Sequence, residues 1–403
     1  MIMSFIKVYR INVYLRVGFE MRVLNVSTDI KRANRVKLMK YLLDNGGASR
    51  QELVQALELS SPTVIQIIKE LAERGLITEV GEYNSTGGRK AKALGVTKGM
   101  YFAVGAEITK HHLQLVLVDM NHEVLAAERI RYPYQDVTSY YVGIGTYIQQ
   151  FLQKNGISEE NGNTDRVLGV GVSIPGMINT DDKVIWRSIT LNITDNTSTS
   201  RFTQYIPYRS FCAQNSENAA FAEAKHYKSK NMVCLFLNDA VSGAAYLDHK
   251  VYTGDRNKGT IPGHMILVPG GRKCYCGKRG CVNTYCSALT LRRSPDTPLE
   301  DFFEAMDNGN EENARIWDEY LDYLAIAVSN LRICFECDVL LGGSVSEYVK
   351  QYRAEFDERL MRNSIFEEDT AYIHFGKYKR EVFAIGAAFV MIEKSIESSD
   401  LLG

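Results

Sequence analysis

After residue 98 the chain lays down three apolar runs in succession, MYFAVGAEI, HLQLVLVDM and EVLAAERIRY, separated only by short turns at Thr109–His112 and Asn121-His122. Runs so rich in valine, isoleucine, leucine and tyrosine, with so little chain between them, pair as an antiparallel meander. A helical stretch follows (Ser139–Asn155). Then comes VLGVGVSIPGMI, continuously apolar like a strand buried on both faces of a sheet. The pattern begins again at VCLFLNDAVSGAAYL. It closes with helix-rich chain between Leu299 and Phe335, the strand DVLLGGSV and a last helix, AIGAAFVMIEKSI. A meander, a helix and further strands, met twice, predict two α/β lobes around a cleft. At 403 residues there is room for both lobes and for a further domain.

The preceding residues keep a different period. In NRVKLMKYLLDNGG, Val36, Leu38, Met39, Leu42 and Leu43 form one helical face, and Gly46-Gly47 stops it. In SRQELVQALEL, Ser49 and Glu52 have capping-box spacing. In LSSPTVIQIIKELAERGLI, Ser60 or Ser61 caps and Pro62 fits the first turn. Burial of Val64, Ile67, Ile68 and Leu71 would leave Ser61, Thr63, Gln66 and Lys69 facing outward. A strand from Leu76-Ile77 opens EVGEYNSTGGRKAKALGVT, a two-stranded wing with its tip at Asn84–Arg89. Three helices and a basic glycine-tipped hairpin predict a winged helix-turn-helix.

The net charge is −1, but Lys31–Lys98 holds 12 Lys and Arg against 7 Asp and Glu, a local excess that suits double-stranded DNA. The second helix of such a motif enters the major groove, where Gln66 and the small hydroxyls reach base edges. Arg89, Lys90 and Lys92 suit phosphates or a minor groove. A protein-contact module with a solvated basic face is the competing reading. Winged helices read symmetric sites as dimers, so the lobes are expected to supply a homodimer or homotetramer surface.

Eight cysteines stand at 212, 234, 274, 276, 281, 286, 334 and 337. Lys7, Arg10 and Arg16 interrupt every apolar run of the N-terminus, which argues against a secretory signal, and no stretch has the length of a membrane helix. A reducing cytoplasm is the expected location, with no membrane partner. In CYCGKRGC, Cys274, Cys276 and Cys281 together with His264 make a Cys₃His set suited to tetrahedral Zn²⁺. With all four positions filled by protein, such an ion is structural. Redox use of the thiols is the alternative. Cys286 reads as a packing thiol, and Cys334 and Cys337 have CxxC spacing on a helical pattern with no partner pair.

The winged helix, SIPG (Ser173–Gly176), QNSENAAFAEA (Gln214–Ala224), GTIPGHM, CYCGKRGC and LLGGSVS together resemble the ROK family of bacterial sugar-responsive repressors and related sugar kinases. The resemblance covers about residues 31–395. It implies an actin-like, ribonuclease-H-like two-lobed α/β domain over 98–398, with the zinc loop at 264–281. The winged helix precedes it at 31–97, behind an extension of residues 1–30, within which Met21 offers a second start.

The same resemblance implies that kinase parts are missing. The family's DxGGT phosphate turn corresponds to AVGAEITK (Ala103–Lys110), where the glycine pair is gone and Glu107 stands near the phosphate path. Its GTGxGxG loop corresponds to NDAVSGA (Asn238–Ala244), where Asp239 adds negative charge; Gly342-Gly343 survives. The catalytic aspartate's place is taken by Ser216, too weakly acidic to serve as an unaided base, and the adjacent Glu217 is expected to point elsewhere. Two sugar-binding glutamates are replaced by Ile261 and Asn283, whereas Asn215 and His264 are kept and Asn192 is placed at the cleft. Asn192 and Asn215 also suit ordinary caps or turns.

The expectation is a non-catalytic, DNA-binding regulator of carbohydrate-use genes, a repressor with a sugar or sugar-phosphate effector. The alternatives are an active ATP-dependent sugar kinase carrying a helix-turn-helix, and a constitutive DNA-binding protein.

Overall fold

A computed structural model of the chain describes residues 26–83, 91–257, 259–292, 294 and 297–402. The first unit holds α1 (Val26–Asn45), β1 (Ala48–Ser49), α2 (Arg50–Leu57), α3 (Ser61–Glu73) and the hairpin β2 (Ile77–Tyr83) and β3 (Ala91–Val96), in sheet order β1-β3-β2. Both halves of the Ser49/Glu52 capping box form at α2, and Ser60 caps α3 by accepting from the Thr63 N–H. Helix α1 starts at Val26, eight residues before Asn34, so the expected border at residue 30 falls inside a helix. Asp29, Ile30, Lys31 and Ala33 are exposed, so this turn buries no apolar stripe and carries no periodic signal. The wing tip lies outside the described residues, and Arg89 and Lys90 with it.

The first lobe runs through β4 (Phe102–Ile108), β5 (His112–Asp119), β6 (Val124–Arg131), α4 (Thr138–Lys154) and β7 (Val167–Ile174). It continues through a small sheet of β8 (Met177–Asn179), β9 (Val184–Arg187) and β10 (Thr197–Ser198) to β11 (Ser210–Gln214) and α5 (Asn215–Tyr227). The main sheet has order β11-β7-β4-β5-β6: an antiparallel meander with two parallel strands added beside β4.

The second lobe has β12 (Met232–Leu237), β13 (Val241–Leu247), β14 (Lys250–Tyr252), α6 (Asn283–Cys286), α7 (Leu299–Asp307) and α8 (Glu311–Phe335). After these come β15 (Asp338–Gly342), α9 (Ser346–Gln351), α10 (Arg353–Asn363) and β16 (Ile373–Phe375). Its order, β14-β13-β12-β15-β16, repeats the same meander-plus-two-parallel plan.

The last helices, α11 (Val382–Glu397) and α12 (Ser399–Leu402), return to the first lobe, where α11 packs on β4, β7 and α5. The approach is close enough that a Cβ on Gly105 would stand 1.8 Å from the Ala384 carbonyl oxygen. Backbone meets backbone there, so no rotamer change relieves the clash. Gly105→Ala is expected to cost about 3 kcal/mol, the upper end of ordinary overpacking, read as a lowered denaturant midpoint. One apolar cluster is continuous from Leu38, Leu42 and Leu71 of the winged helix to Phe389 and Ile392 of α11. The first unit is therefore packed onto the lobes rather than hung from a tether.

Candidate functional site

Helix α3 presents Ser61, Ile65, Gln66 and Lys69 to solvent over a buried face of Val64, Ile67, Ile68 and Leu71. Thr63 is half-buried, and its hydroxyl lies 2.8 Å from that of Ser60. Gln66 donates to Glu70 at 3.0 Å, and Lys69 pairs loosely with Glu73 at 3.8 Å. Ile65, 42 % exposed, was not anticipated. It occupies the helical face between Ser61 and Lys69, which the i, i+4 spacing alone identifies. An apolar side chain there suits a thymine methyl.

Asn215 and Ser216 open α5. Ser216 is 1 % exposed and its hydroxyl accepts a hydrogen bond from Gln214 at 2.8 Å. The Asn215 side chain accepts from the Ser216 N–H at 2.8 Å, a local turn bond. Strand register sets Ser173, Glu107, Gln114 and Arg129 side by side across β7, β4, β5 and β6. Asn218 joins the row by donating to Ser173 at 3.2 Å. Burial pushes the Glu107 carboxyl up to about 8, against the pull of Arg129. Burial also raises Glu217 to about 7. Nothing in sequence spacing revealed that Glu217 would be desolvated.

One expectation changes. Asp239 does not stand as a bare negative charge, because Arg292 pairs with it. Asn283, where the resemblance places a lost sugar-binding glutamate, accepts the Val241 N–H on its side-chain oxygen at 2.7 Å and so ties α6 to β13. Asn192 is exposed, with a left-handed φ of 53° that asparagine tolerates. No hydrogen bond among the described residues links Asn192 to Asn215 or His264.

His264, on a 3₁₀ turn over Pro262–His264, meets the thiols. Its Nδ1 is 3.7 Å from Cys274 Sγ, Cys276 Sγ is 3.7 Å from Cys281 Sγ, and all four donor atoms lie within 4.8 Å of one another. Ligand spokes of about 2.3 Å in a tetrahedron give edges of roughly 3.8 Å, so the set fits a metal ion such as zinc. Among the described residues no other such group of three or more gathers. The loop is knit by Cys274 N–H to Lys278 O at 2.8 Å and Gly280 N–H to Arg272 O at 2.8 Å. Gly280 has φ 82°, and a Cβ there would meet the Val268 carbonyl oxygen at 1.7 Å, so the loop closes only with glycine. Burial pushes Cys281 up to about 12. At Cys276 burial is outweighed by the Lys278 N–H and the neighbouring thiols, which hold it below the usual thiol range. Cys286 is fully buried, and the CxxC pair diverges, with Cys334 exposed and Cys337 buried.

Comparison with known proteins agrees with this architecture. The ROK family profile matches residues 103–394 and a winged helix-turn-helix DNA-binding profile matches residues 31–78. The chain is similar to the xylose repressor of Bacillus subtilis (strain 168), 24% identical over 279 residues, covering 67% of this chain and 70% of that protein. It is also similar to the DNA-binding transcriptional dual regulator NagC of Escherichia coli (strain K12), 25% identical over 285 residues, covering 68% and 67%.

Among solved structures, a ROK family transcriptional regulator homologous to the E. coli MLC protein superposes with TM-score 0.73 at 19% identity, covering 93% of this chain and 98% of that one. A ROK hexokinase from Thermus thermophilus superposes with TM-score 0.60 at 19% identity, covering 72% of this chain and 97% of that one. With the repeated lobes, the winged helix and the Cys₃His loop in place, the chain belongs to the ROK family.

Proposed function

We propose that this protein is a DNA-binding transcriptional regulator, a repressor of carbohydrate-use genes, whose kinase-like lobes sense a sugar or sugar phosphate without phosphorylating it. The observation that carries the reading is the pairing of an outward-facing recognition helix with a cleft in which the base position is a buried serine already bonded to Gln214. The repressor names borne by its relatives support it. In this reading Asn215 and His264, with Asn192 at the rim, contact the effector. A structural Zn²⁺ is held by His264, Cys274, Cys276 and Cys281, and the protein works in the cytoplasm as a homodimer or homotetramer. Among the described residues no helix is long and apolar enough to cross a membrane.

The test lies in the DNA contacts. Gln66→Ala is expected to relax sequence preference by about 1–3 kcal/mol at one base pair. Arg89→Ala is expected to weaken binding to every sequence and to reduce the salt slope by roughly one. Gel shifts in which both variants match the parent would remove α3 and the wing from the interface. One observation favours the kinase alternative: the carboxyl of Glu217, raised toward neutrality beside the base position. Sugar-dependent ATP turnover that is lost in Glu217→Gln would establish that reading in place of ours.

A further inference from the structure

Apart from the cleft, the second lobe carries a recess of about 490 Å³ between the thiol loop, α6 and α8, a volume in the range of small-molecule sites. Asn192, Asn215, Ser216 and His264 do not line it; of the positions discussed for sugar binding only Asn283 does, and its side-chain oxygen is taken up by the Val241 N–H. Its floor is rigid. Tyr320 is 1 % exposed with its hydroxyl donating to the Cys286 carbonyl at 2.6 Å. Tyr285 accepts from the Arg272 N–H at 2.9 Å.

The charge at the rim is unbalanced. Arg272 is satisfied, by Glu319 at 3.1 Å and by the Tyr285 ring beneath it at 4.6 Å. Lys273 and Arg315 also line the recess, and among the described residues neither has an ion-pair partner. Tyr275 and Tyr323 add ring faces, and Thr290 a hydroxyl.

We infer that this recess is a second binding site, taking a small polyhydroxylated ring that bears one anionic group. Two unpaired cations draw the anion, the tyrosine faces cover the apolar side of the ring, and hydroxyl groups meet its hydroxyls. The site is wired to the thiol loop. Tyr275 sits between two of the cysteines and sets its ring edge-on to His264, with centroids 5.2 Å apart. Thr284, also in the lining, bonds the Cys281 carbonyl at 2.8 Å. An occupant therefore presses on the loop that holds His264.

The experiment is calorimetric titration of the full-length protein with glucose 6-phosphate, glucuronate and glucose at constant ionic strength, repeated on Lys273→Ala/Arg315→Ala and on Asn215→Ala. Both anions, or one of them, are expected to bind more tightly than glucose, and the affinity is expected to fall about tenfold for each cation removed. Asn215→Ala is expected to leave anion binding intact. Preference for phosphate over carboxylate, or the reverse, names the anionic group. Equal binding of all three compounds, no binding of either anion, or anion binding that survives the double substitution overturns the inference. Anion binding lost in Asn215→Ala but kept in the double variant places the ligand in the cleft; that outcome ends this inference and leaves the proposed function standing.

Discussion

Cys281→Ser, or exhaustive chelation of the full-length protein, is expected to release one zinc ion per chain and to lower stability by about 3 kcal/mol. The estimate follows from chain entropy. An ion bridging His264 to Cys281 closes a loop of length similar to the 15-residue loop for which cross-linking is worth about 3 kcal/mol. In small domains folded around zinc the whole folding free energy comes from the ion. Here the loop rests on an independent core of Val233, Leu235, Tyr320 and Leu324, so the loss is confined to the loop and what it positions. His264 is what it positions: without the ion the imidazole keeps Tyr275 as a neighbour but loses its fixed ring plane. Metal analysis with thermal unfolding measures both quantities, at about 2–4 °C per kcal/mol for a domain of 150–250 residues. Isolated protein that carries no zinc, or that unfolds at the same temperature before and after chelation, would sink the zinc assignment. A disulfide in the freshly isolated protein would favour redox use.

The features legible in the sequence are those whose partners sit within one turn or one strand repeat. Ser49 and Glu52 announce the start of α2 because both halves of the capping box lie three residues apart. The meander β4–β5–β6 is legible for the same reason, its turns being short and its strands apolar throughout. The thiol loop is legible because three of its four potential metal ligands fall within eight residues. What stays hidden depends on contacts made across the chain. Arg292 neutralises Asp239 from 53 residues away, and Asn283 serves Val241 from 42 residues away. The desolvation of Glu107 and Glu217 arises only when lobes and helices close over them. The early start of α1 was illegible for another reason: an exposed helical turn has no apolar periodicity to read.

The second large effect concerns how a cleft could speak to a DNA-binding helix. Helix α5 begins at Asn215 and Ser216 and ends near Lys225, so a single rod spans from the proposed effector contacts to the winged helix. Lys225 Nζ lies 2.7 Å from Asp44 of α1 and 3.0 Å from Glu393 of α11. Glu393 also pairs with Lys40 of α1 at 2.9 Å, and Lys40 with Glu397 at 2.5 Å. The Glu393 side chain is only 12% exposed, and although burial pushes its carboxyl up, Lys225 and Lys40 hold it below the usual carboxylate range. Nearby His122, pressed against Phe389, is driven down to about 4 by desolvation and adds no charge to the two lysines at neutral pH.

Removing Glu393 leaves the largely buried Lys225 only the half-exposed Asp44 and leaves Lys40 only the exposed Glu397, a loss of about 3 kcal/mol at the lower end for a broken buried pair. Glu393→Gln is therefore expected to loosen α1 from the lobes and shift its docking equilibrium by more than about a hundredfold, since each 1.4 kcal/mol is a factor of ten. Hydrogen exchange should show protection falling in α1 while β4 and β12 keep theirs. Operator affinity should then respond weakly or not at all to an effector that still binds the cleft. Asp44→Asn, which leaves Glu393 with both lysines, should fall between the two. A Glu393→Gln protein with unchanged protection in α1 and an undiminished effector response would remove the charge cluster from the signalling route and leave the apolar contact between α1 and α11 as the link.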